Sequence, residues 1–178
     1  MAEAPDEQLM LAYREGDAGA FESLYARHRI RLFRFVLRNI KSRASAEELY
    51  QEIWMRVIEA RATYRPTARF TTWLYTIAHH RMVDHWRSAR LPTVSLETDD
   101  IPASNPGPQQ HMEAREALSR FAAALESLPA AQREAFLLHE EAGLTAAEIA
   151  AATGSNEEAA KSRLRYALAK LKAAVDDG

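Results

Sequence analysis

The sequence predicts an all-α protein built as two small helical domains joined by a flexible linker, and three observations carry that prediction. Strong helix formers (Ala, Leu, Glu and Arg) dominate the 178-residue chain, whereas glycine occurs only 6 times. Apolar residues recur at helical rather than alternating spacing through two long blocks. Between the blocks, residues 91–110 contain Pro92, Pro102, Pro106, Pro108 and Gly107 together with the acids Glu97, Asp99 and Asp100. Such a stretch neither holds a helix nor builds a core. Domains are therefore expected at 5–90 and 113–176, with 91–112 as the linker.

The elements follow in order. A first helix is expected from about Asp6, with Leu9, Ala12 and Tyr13 on one face; Gly16 ends it and Asp17 is placed to cap the next. The second helix sets Phe21, Leu24, Tyr25, His28 and Leu32, then Phe33, Val36, Leu37 and Ile40, at helical spacing. A third is expected to open at Ser45, where Ser45-Ala46-Glu47-Glu48 has the form of a capping box, and to bury Leu49, Ile53, Trp54, Val57 and Ile58. Pro66 interrupts, and a fourth helix runs from about Phe70 to Arg87.

Beyond the linker, residues 113–128 form an amphipathic helix stopped by Pro129, and residues 131–141 form another that leaves through Ala142-Gly143. Thr145-Ala146-Ala147-Glu148 is a second capping box, opening a short helix that Gly154 breaks. Ser155-Asn156 then caps a last helix reaching about Val175, with Leu164 and Leu168 expected to face inward. A short helix, a tight glycine turn and a second, cationic helix together read as a helix-turn-helix.

Composition narrows the chemistry. The absence of cysteine excludes disulfides, a cysteine nucleophile and thiolate-bound zinc. No apolar run approaches the ~18 residues of a membrane span, and residues 1–16 are too polar for a signal peptide, so a cytoplasmic protein with no stable membrane insertion is expected. Net charge is −2, but the charges are segregated. Arg61, Arg65, Arg69, Arg81, Arg87 and Arg90 stand against one acid, Asp84, and Lys161, Arg163, Arg165, Lys170 and Lys172 against none, while acids gather at 47–59 and 97–100. Separate basic and acidic faces suit a polyanion on one side and a basic protein partner on the other. A metal-dependent hydrolase built on His79, His80, Asp84 and His85 is a rival reading, since His80 and Asp84 share a helical face. No third ligand is placed by spacing. A stand-alone helix-turn-helix regulator is the other alternative; it explains the last helix but not the amino-terminal block.

Seven short motifs stand in order along the chain. The first block holds Gly16-Asp17 with Ala20-Phe21-Glu22-Ser23-Leu24-Tyr25, then Ala46-Glu47-Glu48-Leu49-Tyr50-Gln51-Glu52, Phe70-Thr71-Thr72-Trp73-Leu74-Tyr75-Thr76-Ile77-Ala78 and Asp84-His85-Trp86-Arg87. The second holds Leu128-Pro129 with Arg133, Leu144-Thr145 with Glu148-Ile149-Ala150, and Lys161-Ser162-Arg163-Leu164. In this order and spacing they resemble the extracytoplasmic-function (ECF) sigma factors, the smallest branch of the sigma-70 family, over nearly the whole chain except the linker and the extreme ends.

The resemblance implies an alternative initiation factor with no enzymatic activity and no cofactor, whose partners are core RNA polymerase, promoter DNA and, by family habit, an anti-sigma factor. It implies that Glu47, Glu48, Gln51 and Glu52 dock on the polymerase, with Leu49 and Trp54 as apolar contacts, although the spacing of Leu49 fits a core position better. Arg65, Thr67, Arg69, His79, His80, Arg81 and Arg87 are implied to bind a melted −10 strand, which needs cations along the backbone and a surface for extruded bases. Lys161, Ser162, Arg163, Arg165 and Tyr166 are implied to read the −35 element in the major groove. Departures from the family pattern mark where specificity should differ: His80 for Asn, Ala159-Ala160 for Thr-Val, and Tyr166 for Arg. No adjacent aromatic pair stands near Thr76-Ile77, so melting should depend on a well-matched −10 element. Ser45 stands where the family commonly has Asp, making it a candidate regulatory phosphosite: a phosphate there adds about −1.5 to −2 charge beside an acidic docking face.

Overall fold

The computed structural model describes residues 2–89 and 109–177, which form eight α-helices and one 3₁₀ turn with no strand among the described residues. Helix α1 (Asp6–Arg14) ends at Gly16, whose φ of +105° lies where L side chains are strained. Asp17 then caps α2 (Ala18–Asn39), accepting from the Ala20 N–H at 3.3 Å. Two acids of α1 tie the amino-terminal half together. Asp6 accepts from Arg27 at 2.9 Å and His28 at 2.8 Å. Burial pushes its carboxyl up, but the hydrogen bonds from His28 and Arg27 outweigh it and hold the group below its ordinary range. Glu7 accepts from the Phe70 N–H at 2.7 Å, so α1 supplies a cap to the fourth helix.

Helix α3 (Arg43–Glu59) opens two residues earlier than its sequence suggests. Ser42, in extended conformation, accepts from the Ser45 N–H at 3.3 Å and is the cap. Ser45 is therefore the third helical residue, and the capping box expected at 45–48 does not form. A serine three positions upstream already serves the orphan donor. The buried stripe is Ala46, Leu49, Ile53, Trp54 and Val57; Ile58, expected inside, is 38% exposed. After a 3₁₀ turn (Arg61–Thr63), α4 (Phe70–Ala89) buries Phe70, Leu74, Tyr75, Ala78 and Met82. Each such large side chain removed from water is worth about 1.5–3 kcal/mol. Phe35 and Tyr75 meet edge-on at 5.1 Å in the centre of this half.

Helix α5 (Gln109–Ser127) begins four residues before the expected domain start, so 109–112, assigned to the linker, are helical; residues 91–108 of that linker lie outside the described residues. Pro129 precedes α6 (Ala130–Glu140). Buried Arg133 donates to the carbonyls of Glu126 and Leu128, closing the end of α5, and to the carbonyl of Asn39 at 3.4 Å across the molecule. In α7 (Ala146–Thr153) both bonds of the Thr145/Glu148 capping box are present. Gly154 turns the chain at φ +66°, and Asn156 caps α8 (Glu157–Asp176), accepting from the Ala159 N–H at 2.8 Å.

The buried stripe of α8 runs Ala160, Leu164, Ala167, Leu171, spaced four, three and four residues. Leu168, expected inside, sits one residue out of phase with this stripe and is 48% exposed. Ala160 is wholly buried, so it cannot read DNA directly. The two halves meet where α7 lies on α4 and α6 on α2, and one apolar cluster runs through both.

Candidate nucleic-acid and polymerase interfaces

Three surfaces emerge, each on a different helix. On α3, Glu47, Glu48, Gln51 and Glu52 are exposed together, with only Glu47 engaged, by Arg43 at 3.2 Å one turn away. Leu49 and Trp54 are not part of that surface: each is 5% exposed. Trp54 packs edge-on against Phe21, Tyr25 and Tyr50 and contributes to holding α3 against α2.

The apolar contact comes from residues outside the predicted set. Tyr25, one of the residues set at helical spacing on α2, is 37% exposed, and Ile30 is 59% exposed. With Phe33, Tyr50, Arg29 and Arg34 they line a shallow recess of about 420 Å³ between α2 and α3. Tyr50 meets Phe33 edge-on at 5.3 Å and Tyr25 hydroxyl to hydroxyl at 3.5 Å; partial burial and that bond push its pKa up to about 12. A second apolar row on α2 (Tyr25, Phe33, one turn either side of Arg29) was the available signal for this recess. Met55, 54% exposed, extends the apolar surface of α3.

The second surface is α4 with the loop before it. Arg65 and Thr67 are exposed in the loop, and His80 and Arg87 are exposed on the helix. Three other predicted residues are already engaged. Arg69 lies 3.3 Å from Glu148 and donates to Thr71 at 3.2 Å. His79 is bonded through Nδ1 to Glu134 at 2.5 Å, and Arg81 to Asp84 at 2.6 Å. Thr72, not predicted, donates to Glu148 at 2.9 Å. Burial pushes the Glu148 carboxyl up, but the Thr145 backbone and the hydroxyls of Thr72 and Thr145 outweigh it, and the group lies below its ordinary range. Trp73 and Ile77 are partly buried against the core and Phe70 wholly buried, so these apolar residues are packing rather than a base-stacking platform. Among the described residues no group of three His, Asp or Glu side chains is placed to hold a metal.

The third surface is the first half of α8. Lys161 reaches Glu157 at 3.1 Å, Ser162 and Arg163 are half-buried, and Arg165 is exposed with its guanidinium 5.6 Å above the Tyr166 ring. Tyr166 itself is 60% exposed. Cation–π stacking of this kind stiffens an arginine without consuming its hydrogen-bond donors. Ser45 lies apart, half-buried at the first turn of α3, in a cleft it shares with Glu48, Arg81, Asp84, His85 and Ser88.

Comparison with known proteins adds to this geometry. Residues 24–91 match the model for Sigma-70 region 2, and residues 118–171 that for Sigma-70, region 4. The chain is similar to RNA polymerase sigma factor CarQ of Myxococcus xanthus, 33% identical over 174 residues, covering 92% of this chain and 93% of that protein. It is 32% identical over 167 residues to ECF RNA polymerase sigma factor SigF of Caulobacter vibrioides, covering 92% and 89%. Among solved structures it resembles CnrH in complex with the cytosolic domain of CnrY, with a TM-score of 0.71 at 25% identity over 97% of each chain.

Proposed function

Because the chain belongs to the ECF branch of the sigma-70 family, we propose a division of its promoter-directed role in transcription initiation among the three surfaces just described. The observation that carries this reading is their order in one chain: an acidic docking face, a cationic helix, and a helix-turn-helix. The polymerase performs the chemistry, and this factor selects where it begins.

Residues 5–90 act as the docking and −10 domain, residues 113–176 as the −35 domain, and 91–112 as the connection between them. Glu47, Glu48, Gln51 and Glu52 meet basic and polar groups of core polymerase, and the recess between α2 and α3 supplies the apolar contact that Leu49 and Trp54 cannot. Arg65, Thr67, Arg69, His79, His80 and Arg87 follow the −10 strand. The charge of Arg81 is shared with Asp84. Lys161, Arg163 and Arg165 enter the major groove with Ser162 and Tyr166, each bidentate arginine–guanine pair giving about 1–3 kcal/mol of discrimination.

An anti-sigma factor is a further partner under this reading, supported by the likeness to CnrH bound to the cytosolic domain of CnrY. Ser45 remains a candidate phosphosite, its phosphate lying at the first turn of α3 beside Arg81 and His85; equal polymerase affinity of Ser45→Ala and Ser45→Asp would remove the reason for it. The reading is tested by size-exclusion chromatography with core polymerase. Co-migration, abolished by Glu48→Lys with Glu52→Lys, is expected; tight duplex binding as a dimer without polymerase would favour a stand-alone regulator instead.

A further inference from the structure

The two halves meet through an interface with one polarity. Among the described residues, Glu141 lies 3.4 Å from Arg34 and 3.5 Å from Arg38, Glu148 engages Arg69 and Thr72, and Glu134 engages His79. In each of these contacts the carboxylate comes from the carboxy-terminal half and the donor from the amino-terminal half. The donation from Arg133 to the Asn39 carbonyl runs the other way but involves no acid.

Glu134 and Glu141 are buried, at 4% and 8% exposure, and their contacts with His79, Arg34 and Arg38 cross the seam. A buried carboxylate is costly unless it is paired. Burying these acids there therefore commits the carboxy-terminal half to finding hydrogen-bond donors on the other half. The donors it finds include His79 and, through Glu148, Arg69, two residues of the proposed −10 surface.

We infer that Glu134, Glu141 and Glu148 stand in for phosphates: they hold the carboxy-terminal half over the promoter-strand face of α2 and α4, so that this half and a single DNA strand compete for Arg34, Arg38, Arg69 and His79. Carboxylate and phosphate oxygens accept from the same arginine, histidine and hydroxyl donors. The inference assigns Arg34 and Arg38 a role that spacing alone does not suggest, as two further backbone-binding residues one turn apart on α2. It rests on the proposed role of α4 in binding the promoter strand.

The energetics suit an exchange. Side chains of Arg34, Arg38 and Arg69 are 48%, 47% and 54% exposed, so an entering strand can reach each guanidinium from solvent. Opening of the seam returns Glu141 to water rather than leaving it buried without a partner. Apparent affinity for the strand is then the intrinsic affinity reduced by the fraction of molecules that are open.

The test uses the full chain. Because it has no native cysteine, Glu22→Cys and Ala169→Cys place two dyes on exposed sites of α2 and α8 for energy transfer. Binding of a labelled oligodeoxythymidine of about fifteen nucleotides is read by anisotropy. The variant Glu134→Gln/Glu141→Gln/Glu148→Gln keeps the side-chain shapes, and Gln preserves the capping box at position 148. It is expected to lose energy transfer and to bind the oligonucleotide at least tenfold more tightly. The control Glu116→Gln/Glu126→Gln/Glu140→Gln makes the same charge change at exposed sites and should move neither reading.

Unchanged energy transfer or unchanged affinity in the triple variant overturns the inference, as does an equal gain in the control. If the triple variant does not fold, Glu141→Gln alone carries the test, with a gain of about threefold expected and no gain decisive against it. In the triple background, Arg34→Gln with Arg38→Gln should make the salt dependence of binding shallower by about 0.7 for each phosphate that is no longer neutralised. Failure of the wild-type chain to support transcription with core polymerase would instead count against the proposed function.

Discussion

The proposed −10 and −35 surfaces differ in what already occupies them. On α4, Arg69, Thr72 and His79 are engaged by glutamates of the other half, and His79 is largely buried in that contact. On α8, Arg165 and Tyr166 face solvent, and Lys161 is engaged only by Glu157 of its own helix. Under the proposed function, the surface assigned to the melted strand is the covered one and the surface assigned to the intact groove is the open one. On the inference drawn from the seam, control of strand binding then lies between the halves rather than in the helix-turn-helix.

The largest expected effect separates the two surfaces. Replacing Arg163 and Arg165 by Ala should cost holoenzyme about 1–3 kcal/mol per bidentate contact at the −35 element, read by footprinting, while leaving energy transfer between the halves of the free chain unchanged. A change in that transfer would mean the two surfaces are not independent. Next, Gly154→Val forces a β-branched residue to φ +66°, costing about 1–2 kcal/mol in thermal unfolding. It should weaken −35 binding before −10 binding, because only the angle between α7 and α8 depends on that turn.

A smaller effect belongs to the amino-terminal anchor. Asp6→Asn removes the charge that Arg27 and His28 hold and should destabilise the chain by about 1 kcal/mol. Since the folded-state pKa of Asp6 lies below its ordinary value, this stabilisation is present above the unfolded carboxylate pKa and is lost as pH falls through the folded one. Wild-type and Asp6→Asn melting curves should therefore converge in acid, and a difference that persists there would contradict the assignment. Smallest of all, Arg38→Gln should shift global stability by less than about 1 kcal/mol, while still favouring the open arrangement measurably.

Local features were legible in the sequence; their long-range use was not. The Asp17 and Asn156 caps, the Thr145/Glu148 capping box and the turns at Gly16 and Gly154 are settled within four or five residues, and each stands where spacing placed it. Ser42 displaced Ser45 as a cap because two serines compete within one turn, and propensity does not rank them. Leu168 and Ile58 were misplaced because a phase error of one residue, 100° on a helix, turns a core position outward. Contacts such as His79 with Glu134, 55 residues apart, carry no local signal. The sequence showed the cations of α4 but not the acids that cover them.

Run-off transcription with purified core polymerase, followed by mapping of the start sites, tests the central claim most directly. The chain should convert inactive core into an enzyme that starts at a small set of positions, each preceded by shared −35 and −10 elements, and single changes in the −10 element should sharply reduce the product. Product that does not depend on the chain, or start sites without shared upstream elements, would contradict it.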